Sequence, residues 1–160
     1  MDRLFSPWRY AYVTGLKTGE PCVLCRLGDS DPSEDEAGFV VARYRHFYVV
    51  LNVYPYNSGH LMVVPYRHVA DLPGLGDEVL GDLGVLAAKA EQALREVYHP
   101  DGINLGMNLG RSAGAGIADH LHLHVVPRWA GDTNFMTVAG ETRVLPEDLH
   151  ATWQRLRGKV

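Results

Sequence analysis

The hydrophobic positions in the middle of the chain fall into runs with the composition of β-strands. The segment GFVVARYRHFYVVLNVY is rich in β-branched and aromatic residues, and HLMVVP follows after the turn signal YPYNSG. Such residues fit a pleated, half-buried surface, whereas Pro, Asn, Ser and Gly interrupt it. Residues 38–65 therefore predict three consecutive strands, which short turns would make antiparallel.

The hydrophobic period changes to that of a helix between about Leu72 and Tyr98. Seven apolar residues recur there at steps of three and four, which places them on one helical face. They are Leu80, Leu83, Leu86, Ala87, Ala90, Leu94 and Val97. His99-Pro100 ends the pattern, because the residue before a proline disfavours helical backbone angles. We expect one long amphipathic helix.

The C-terminal half predicts two more strands and one more helix. GINLGMNLG and HLHLHVVPRW are the strands, SAGAGIAD is a small-residue loop between them, and Pro146-Glu147-Asp148 opens a short helix. Residues 1–37 lack apolar periodicity, and their acidic part predicts an exposed loop. The expected fold is a single α+β domain with an antiparallel sheet and two helices. Its parts are an N-terminal segment (1–37), a catalytic core (38–136) and a C-terminal extension with a helix (137–160).

The composition excludes several classes of function. The chain has 160 residues, of which 46% are hydrophobic and 21% charged, as in ordinary globular proteins. Its net charge of -4 argues against DNA or long RNA as a partner, because duplex binding needs a basic surface. No apolar run approaches the roughly 18 residues that span a bilayer, and the first residues lack a signal-peptide pattern. We therefore expect a cytoplasmic protein that binds neither nucleic acid nor membranes.

Three histidines alternate with apolar residues in the last predicted strand. Side chains on a strand point to opposite faces with period two, so His120, His122 and His124 are expected on one face. Leu121 and Leu123 then face the other way, against the long helix. Three imidazoles side by side are poor core material, because each carries a donor and an acceptor that need partners once buried. The pattern indicates a functional site.

Two kinds of site fit this row of histidines. They could jointly hold a catalytic metal, as in a metal-dependent hydrolase or oxygenase, since imidazole is a common zinc ligand. Neighbours on one face of a strand lie about 7 Å apart, however, so His120 and His124 are too far apart to share one ion at about 2 Å. The geometry favours the alternative, in which one imidazole is a nucleophile. Neutral imidazole suits attack on phosphorus, because it has a free lone pair and later becomes a good leaving group.

Such a nucleophile requires further groups nearby. Its second ring nitrogen needs an acceptor, such as a backbone carbonyl, so that the attacking nitrogen stays unprotonated. Transfer from phosphorus also needs donors around the non-bridging oxygens. The loop Gly110–Gly116 comes just before the histidines, and backbone amides near Gly114 and Gly116 could supply these donors.

The order of these motifs is similar to that of a known family. His120-Leu121-His122-Leu123-His124-Val125-Val126 matches the pattern His-x-His-x-His followed by two apolar residues, so the chain resembles the histidine triad family. NVYPYNSGHLMVVPYRH and PRWAGDTNF agree with the family in order and spacing, and the resemblance covers roughly residues 20–136. It implies a five-stranded antiparallel sheet flanked by helices. It also implies a homodimer with a continuous ten-stranded sheet.

The resemblance assigns roles to individual residues. It implies that His122 becomes covalently nucleotidylated, that His124 contacts the phosphate or leaving oxygen, and that His60 supports the catalytic ring from the neighbouring strand. It also implies a ribose contact at Asn52 and a phosphate contact at Asn108. From the residues alone, both asparagines fit turn or edge positions equally well.

A second set of residues could hold a metal. Cys22 and Cys25 form a C-x-x-C pair, and two thiolates at this spacing can bind one zinc ion. No other cysteine exists, so His68 and His120 are the candidates for the remaining ligands. The resemblance implies the same four ligands in zinc-containing family members, where the zinc is structural because no position is left for water. The alternatives are two reduced thiols in a loop or a redox pair, although a redox pair would lack its usual βαβ context.

The motifs SPWRY and VVPRWAGDTNF suggest a subgroup. They most resemble diadenosine tetraphosphate phosphorylases and fragile-histidine-triad type hydrolases, which implies cleavage of a dinucleoside polyphosphate with phosphate or water as acceptor. His124 stands where galactose-1-phosphate uridylyltransferases typically carry glutamine, which argues against a hexose-phosphate transferase. Two alternatives stay open. The chain could hydrolyse AMP conjugates such as adenylyl sulfate or phosphoramidates, or bind adenosine nucleotides without turnover.

Overall fold

The computed structural model describes residues 21–132 and 147–160, and a five-stranded antiparallel sheet forms its centre. The strands are β1 (Val40–Arg43), β2 (Phe47–Leu51), β3 (Leu61–Pro65), β4 (Gly102–Gly106) and β5 (Leu123–Arg128). They lie in the order β1-β2-β3-β5-β4, so β5 is flanked by β3 and β4. The predicted antiparallel sheet is confirmed. The SPWRY motif and the residues TNF of PRWAGDTNF lie outside the described residues.

Four α-helices accompany the sheet in the described ranges. They are α1 (Val23–Asp29), α2 (Asp35–Gly38), α3 (Asp77–Tyr98) and α4 (Leu149–Leu156), and short 3-10 turns span Pro32–Glu34, Pro73–Leu75 and Arg111–Ala113. None of the described helices is long and apolar enough to cross a membrane.

The long helix α3 and the C-terminal helix α4 cover one face of the sheet. All seven residues of the predicted apolar stripe of α3 lie in the main hydrophobic cluster or pack against it. Leu121, Leu123 and Val125 belong to the same cluster, so the apolar side of the histidine segment faces α3 as predicted. Helix α4 begins after Asp148, whose side chain accepts a hydrogen bond from the N–H of Ala151 (2.9 Å) and caps the helix.

The prediction of an irregular loop before residue 38 is wrong for the described part of that segment. Helix α1 lies over the opposite face of the sheet, where Leu24 packs with Val40, Tyr48 and Val64. The hydroxyl of Tyr48 donates to the carbonyl oxygen of Leu24 (2.7 Å), which ties the helix to β2. With seven residues and one buried side chain, α1 is too short for a helical period to show in the sequence.

The prediction that all three histidines lie within one strand is also corrected. Strand β5 begins at Leu123, so only His124 belongs to it, opposite Met62 of β3 and Gly106 of β4. The N–H of Leu121 instead donates to the carbonyl oxygen of Val69 (2.7 Å), in the loop after β3. This bond carries the first part of the histidine segment away from the sheet and places His120 in different surroundings from His124.

Candidate functional site

The three histidines of the triad have different partners, although they alternate within five residues of the chain. His120 is 1% exposed and faces two cysteines, His122 is 7% exposed, and His124 contacts His60. A buried imidazole needs a partner for each ring nitrogen that carries a proton. The hydrogen bonds therefore define which nitrogen of each ring carries the hydrogen.

His122 presents a free lone pair on Nε2. Its Nδ1 lies 2.8 Å from the carbonyl oxygen of His120, and a carbonyl can only accept, so Nδ1 carries the hydrogen. Burial lowers the pKa of His122, which favours the neutral ring. A neutral imidazole with its proton on Nδ1 is a nucleophile at Nε2. The acceptor that the sequence could not identify is thus the carbonyl of the first triad histidine.

His124 has the opposite tautomer, because a chain of hydrogen bonds leads to it from the turn before β3. The N–H of Tyr56 donates to Nδ1 of His60 (3.1 Å), so the hydrogen of a neutral His60 is on Nε2. That Nε2 donates to Nδ1 of His124 (2.9 Å), which leaves the hydrogen of a neutral His124 on its own Nε2. His60 thus contacts His124, and its predicted support of the catalytic ring stays a prediction.

The rings of His122 and His124 are close enough to act on one group. Their centroids are 4.9 Å apart and their planes are at 79°. One ring carries a lone pair and its neighbour carries an N–H donor. This pair of tautomers can attack an electrophilic centre and stabilise negative charge on an oxygen attached to it.

A cavity of about 510 Å³ opens beside His124. Its described lining comes from the turn before β3, from β4 and the residues after it, and from the end of β5. It consists of Tyr56, Asn57, Asn104, Leu105, Gly106, Met107, Asn108, Ala113, His124, Val126, Arg128 and Asp132. This volume suits a nucleotide-sized ligand, since small-molecule pockets measure about 300–1,000 Å³.

One of the four predicted substrate-binding residues belongs to the described lining of this cavity. Asn108 lines it, whereas Asn52, Gly114 and Gly116 are outside its described lining. The side-chain oxygen of Asn52 accepts from the N–H of Tyr54 (2.9 Å), and its amide nitrogen lies 3.5 Å from Nδ1 of His60. Gly114 ends the turn Arg111–Ala113 with φ of 89°, a conformation that favours glycine. The roles of these residues stay predictions.

Two residues at the rim of the cavity carry no signal in the sequence pattern. Asn57 and Asp132 are joined by a hydrogen bond of 2.8 Å, and Arg128 donates to the carboxylate of Asp132 through Nε and Nη2. The guanidinium of Arg128 holds the pKa of Asp132 well below its usual range. Asn57 lies in the motif NSGH, before the histidines, and Asp132 lies in the motif RWAGD, after them. Their contact could not be found by pattern, because they are 75 residues apart in sequence.

The four predicted metal ligands come together in a second cluster. One ligand atom from each of Cys22, Cys25, His68 and His120 lies within 4.8 Å of the others. Sγ of Cys25 lies 3.2 Å from Nδ1 of His68 and 3.4 Å from Nδ1 of His120. Tetrahedral zinc with its usual bond lengths separates its ligand atoms by about 3.3–3.8 Å, so the cluster matches a tetrahedral ion.

The chemistry of the donors also fits a cation. Nε2 of His120 lies 2.8 Å from the carbonyl oxygen of Pro65 and therefore carries the hydrogen, which leaves the lone pair of Nδ1 facing the cysteines. Burial, together with the adjacent Cys22, raises the pKa of the Cys25 thiol to about 11. A bound cation reverses this preference, because metal ligation requires the thiolate. His120 belongs to both sites, since its ring faces the cluster and its carbonyl orients His122.

Known proteins are similar to this chain in sequence and fold. The model of the HIT domain matches residues 34–131. AP-4-A phosphorylase of Mycobacterium tuberculosis is 52% identical over 161 residues, which cover 95% of this chain and 80% of that protein.

Solved structures agree with this match. A zinc-bound histidine triad family protein from Mycobacterium smegmatis has a TM-score of 0.68 at 30% identity, covering 86% of this chain and 91% of that one. A hypothetical histidine triad nucleotide-binding protein from Sulfolobus tokodaii has the same TM-score at 25% identity and the same coverage. Since the domain model matches more than half of the chain and the M. tuberculosis relative aligns with most of it, the resemblance of the motifs is confirmed and the chain belongs to the HIT domain family.

Proposed function

We propose that this protein cleaves dinucleoside polyphosphates, with diadenosine tetraphosphate as the first candidate, through a covalent nucleotidyl-histidine. The observation that carries the proposal is the pair of complementary tautomers, a lone pair on Nε2 of His122 beside an N–H on Nε2 of His124. The similarity to AP-4-A phosphorylase supports this substrate class.

In the first step, Nε2 of His122 attacks the α-phosphorus of the substrate. A P–N bond forms while the bond from phosphorus to the bridging oxygen breaks, and the leaving nucleoside polyphosphate takes the electron pair of that bond. His124 donates its Nε2–H towards the reacting phosphate group and stabilises the charge that develops there. The carbonyl of His120 accepts from Nδ1–H of His122 and stabilises the positive charge that the ring acquires.

In the second step, an acceptor oxygen attacks the same phosphorus from the side that the leaving group has vacated. The P–N bond breaks and its electron pair returns to Nε2 of His122. The proton of the acceptor passes to solvent or towards the position that the leaving oxygen occupied. Inorganic phosphate as acceptor gives a nucleoside diphosphate, and water gives a nucleoside monophosphate. Asn108 in the lining of the cavity and the backbone amides near Gly114 and Gly116 are the proposed phosphate contacts, and Asn52 is the proposed ribose contact.

The proposed metal of the cluster Cys22, Cys25, His68 and His120 is structural zinc. Its support is the two-thiolate, two-imidazole donor set at tetrahedral spacing, which is typical of structural zinc sites. The four residues come from helix α1, the loop after β3 and the start of the histidine segment, so the cluster holds these three segments together. Zinc in the related M. smegmatis protein agrees with this assignment.

The proposed assembly is a homodimer joined along β4. This strand is the last in the described sheet order, and Leu105 and Leu109 are 50% and 44% exposed. An edge strand with exposed apolar side chains is a site for pairing with a second strand. Pairing with the β4 of a second copy would extend the sheet to ten strands. The expected cytoplasmic location stays a prediction.

Product analysis tests the proposed function. The protein is incubated with diadenosine tetraphosphate, with and without inorganic phosphate, beside a His122→Ala control. ADP plus ATP formed only with phosphate identifies a phosphorylase, and AMP plus ATP in both cases identifies a hydrolase. No product in either case would refute the proposal and would direct the assay to AMP conjugates or to nucleotide binding alone.

Covalent trapping tests the mechanism separately. Rapid acid quench of the wild-type protein with radiolabelled diadenosine tetraphosphate should leave label on His122 and none on the His122→Ala variant. Turnover without trapped label, or near-normal turnover by His122→Ala, would contradict the covalent route.

A further inference from the structure

The carboxylate of Asp132 joins the end of β5 to the turn before β3 at the rim of the cavity. We propose that Asp132 is a positioning residue which, through Asn57, holds the turn that orients His60 and His124. This inference rests on the proposed function for its kinetic test, because His124 is there the donor to the reacting phosphate. Asp132 itself is assigned no contact with the substrate.

Four donors point at the Asp132 carboxylate. Nε and Nη2 of Arg128 donate to its two oxygens (2.5 and 2.9 Å), Nδ2 of Asn57 donates to Oδ2 (2.8 Å), and the N–H of Trp129 lies 3.3 Å from Oδ2. The side chain of Asp132 is only 11% exposed. A carboxylate can accept all four bonds because it has two oxygens and no hydrogen, whereas a carboxamide cannot. The site therefore requires a charged acceptor rather than any polar side chain of this shape.

Asn57 transmits this anchoring to the turn before β3. It is buried at 9% exposure, and its Nδ2 donates both to Asp132 and to the carbonyl oxygen of Pro127 (2.9 Å). The backbone carbonyl oxygen of Asn57 accepts from the backbone N–H of His60 (3.2 Å). The side chain of Asn57 thus fixes the turn to the end of β5, and its backbone fixes the start of β3.

The anchored turn carries the hydrogen bond that defines the tautomers. Tyr56 precedes Asn57, and its N–H donates to Nδ1 of His60, whose Nε2–H in turn donates to His124. The ring of Tyr56 also packs on those of His60 and His124, with centroids 4.8 and 6.0 Å away. A shift of this turn would weaken the preference of His124 for the tautomer with hydrogen on Nε2. The path from Asp132 to His124 consists of three hydrogen bonds and one peptide unit.

Asp132→Asn tests the proposal with little change in volume. The amide removes one acceptor and turns a donor towards Arg128 or Asn57, so at least one anchoring bond is lost. We expect kcat to fall about 2- to 10-fold, because the change reaches the reacting phosphate only through the hydrogen bond from His60 to His124, while KM changes less than about threefold. The matched control is Asp35→Asn, because Asp35 forms a similar ion pair with Arg43 (2.7 Å) away from the cavity. It should lose stability but keep both kinetic constants.

A spectroscopic readout separates positioning from simple loss of stability. Histidine-selective 15N labelling of the free protein distinguishes protonated from unprotonated ring nitrogens. The wild type and Asp35→Asn should show His60 and His124 with hydrogen on Nε2, and Asp132→Asn should show His124 as a mixture of tautomers. Unchanged nitrogen signals in Asp132→Asn would overturn the proposal, as would a raised KM with unchanged kcat, which would assign the Arg128–Asp132 pair to substrate binding.

A double-variant cycle tests the path through Asn57. Asn57→Ala alone should lower kcat to a similar extent, and the double variant with Asp132→Asn should fall no further than the larger single effect. Independent effects that multiply would overturn the assignment of Asn57 as the link. If the wild type fails to turn over diadenosine tetraphosphate, the proposed function fails, but the 15N signals of the free protein still test the positioning role.

Discussion

Replacing His60 by phenylalanine tests how the pair of tautomers is maintained. His60 is 1% exposed, its Nδ1 accepts from the N–H of Tyr56 (3.1 Å), and its Nε2 donates to His124 (2.9 Å). Phenylalanine keeps a planar ring in the buried position but can neither accept nor donate. The variant therefore removes two hydrogen bonds while it disturbs the packing little.

The expected magnitudes follow from these two bonds. A buried group left without its partner costs about 1–3 kcal/mol. Water can reach the N–H of the half-buried Tyr56 and replace part of its lost bond. The free energy of unfolding should therefore fall by about 2–4 kcal/mol in total. For activity, the transition state loses the support that the hydrogen bond from His60 gives to the N–H of His124, about 0.5–1.5 kcal/mol, the net value of one hydrogen bond. This corresponds to a decrease in kcat of about 2- to 10-fold.

Comparison with His60→Gln makes the test specific. Glutamine places an amide N–H near the position of Nε2, so it can still donate to His124 although the acceptor for Tyr56 is altered. We expect both variants to lose stability in urea unfolding, but His60→Gln should retain more of the wild-type kcat than His60→Phe. Equal kcat values for the two variants, or a His60→Phe enzyme within about twofold of wild type, would refute the reasoning from tautomers.

Three further predictions concern the metal, pH and assembly. His68→Ala should abolish bound zinc in elemental analysis and remove about 2.7 kcal/mol of stability at a zinc concentration 100-fold above Kd, whereas His122→Ala should keep the zinc. Loss of metal from His122→Ala would instead indicate a triad-bound ion. Arg128 depresses the pKa of Asp132 in the folded protein. The ionised Asp132 therefore stabilises the fold fully above about pH 4, and this stabilisation is lost as the pH falls through the lowered pKa. The stability difference between wild type and Asp132→Asn should therefore shrink from pH 7 to pH 3 in urea unfolding, and a constant difference would contradict this sign. Leu105→Lys should shift the protein from dimer to monomer in sedimentation equilibrium, and an unchanged mass would exclude pairing along β4.

Much of the fold is local enough to be read from the sequence. Helix α3 buries one face, so its period reports its conformation. The strands β2 and β3 are buried at nearly every residue, and their β-branched and aromatic composition indicates strands instead. Helix α1 failed this test because it has seven residues and one buried side chain. Its position depends on contacts of Leu24 with the sheet, which no local pattern encodes.

For the candidate site too, the sequence shows the residue types but not their contacts. The chemical types of its members and their order along the chain were evident from the sequence, since imidazoles, paired thiols and a small-residue loop have limited chemical uses. The pairing of those members was a different matter. The contact of His60 with His124 depends on the register that sets β3 beside β5.

The sequence by itself determined the sheet-and-helix composition, the histidine nucleophile as a chemical possibility and the four residues of the metal cluster. Only the tertiary structure decided which nitrogen of each ring carries the hydrogen, because this depends on acceptors such as the carbonyls of His120 and Pro65. It also decided that Asn57 meets Asp132, which closes a contact over 75 residues. Periodicity reports which face of an element is buried. Hydrogen-bond direction depends on atoms brought together from distant segments, and for that reason it is decided only when the chain has folded.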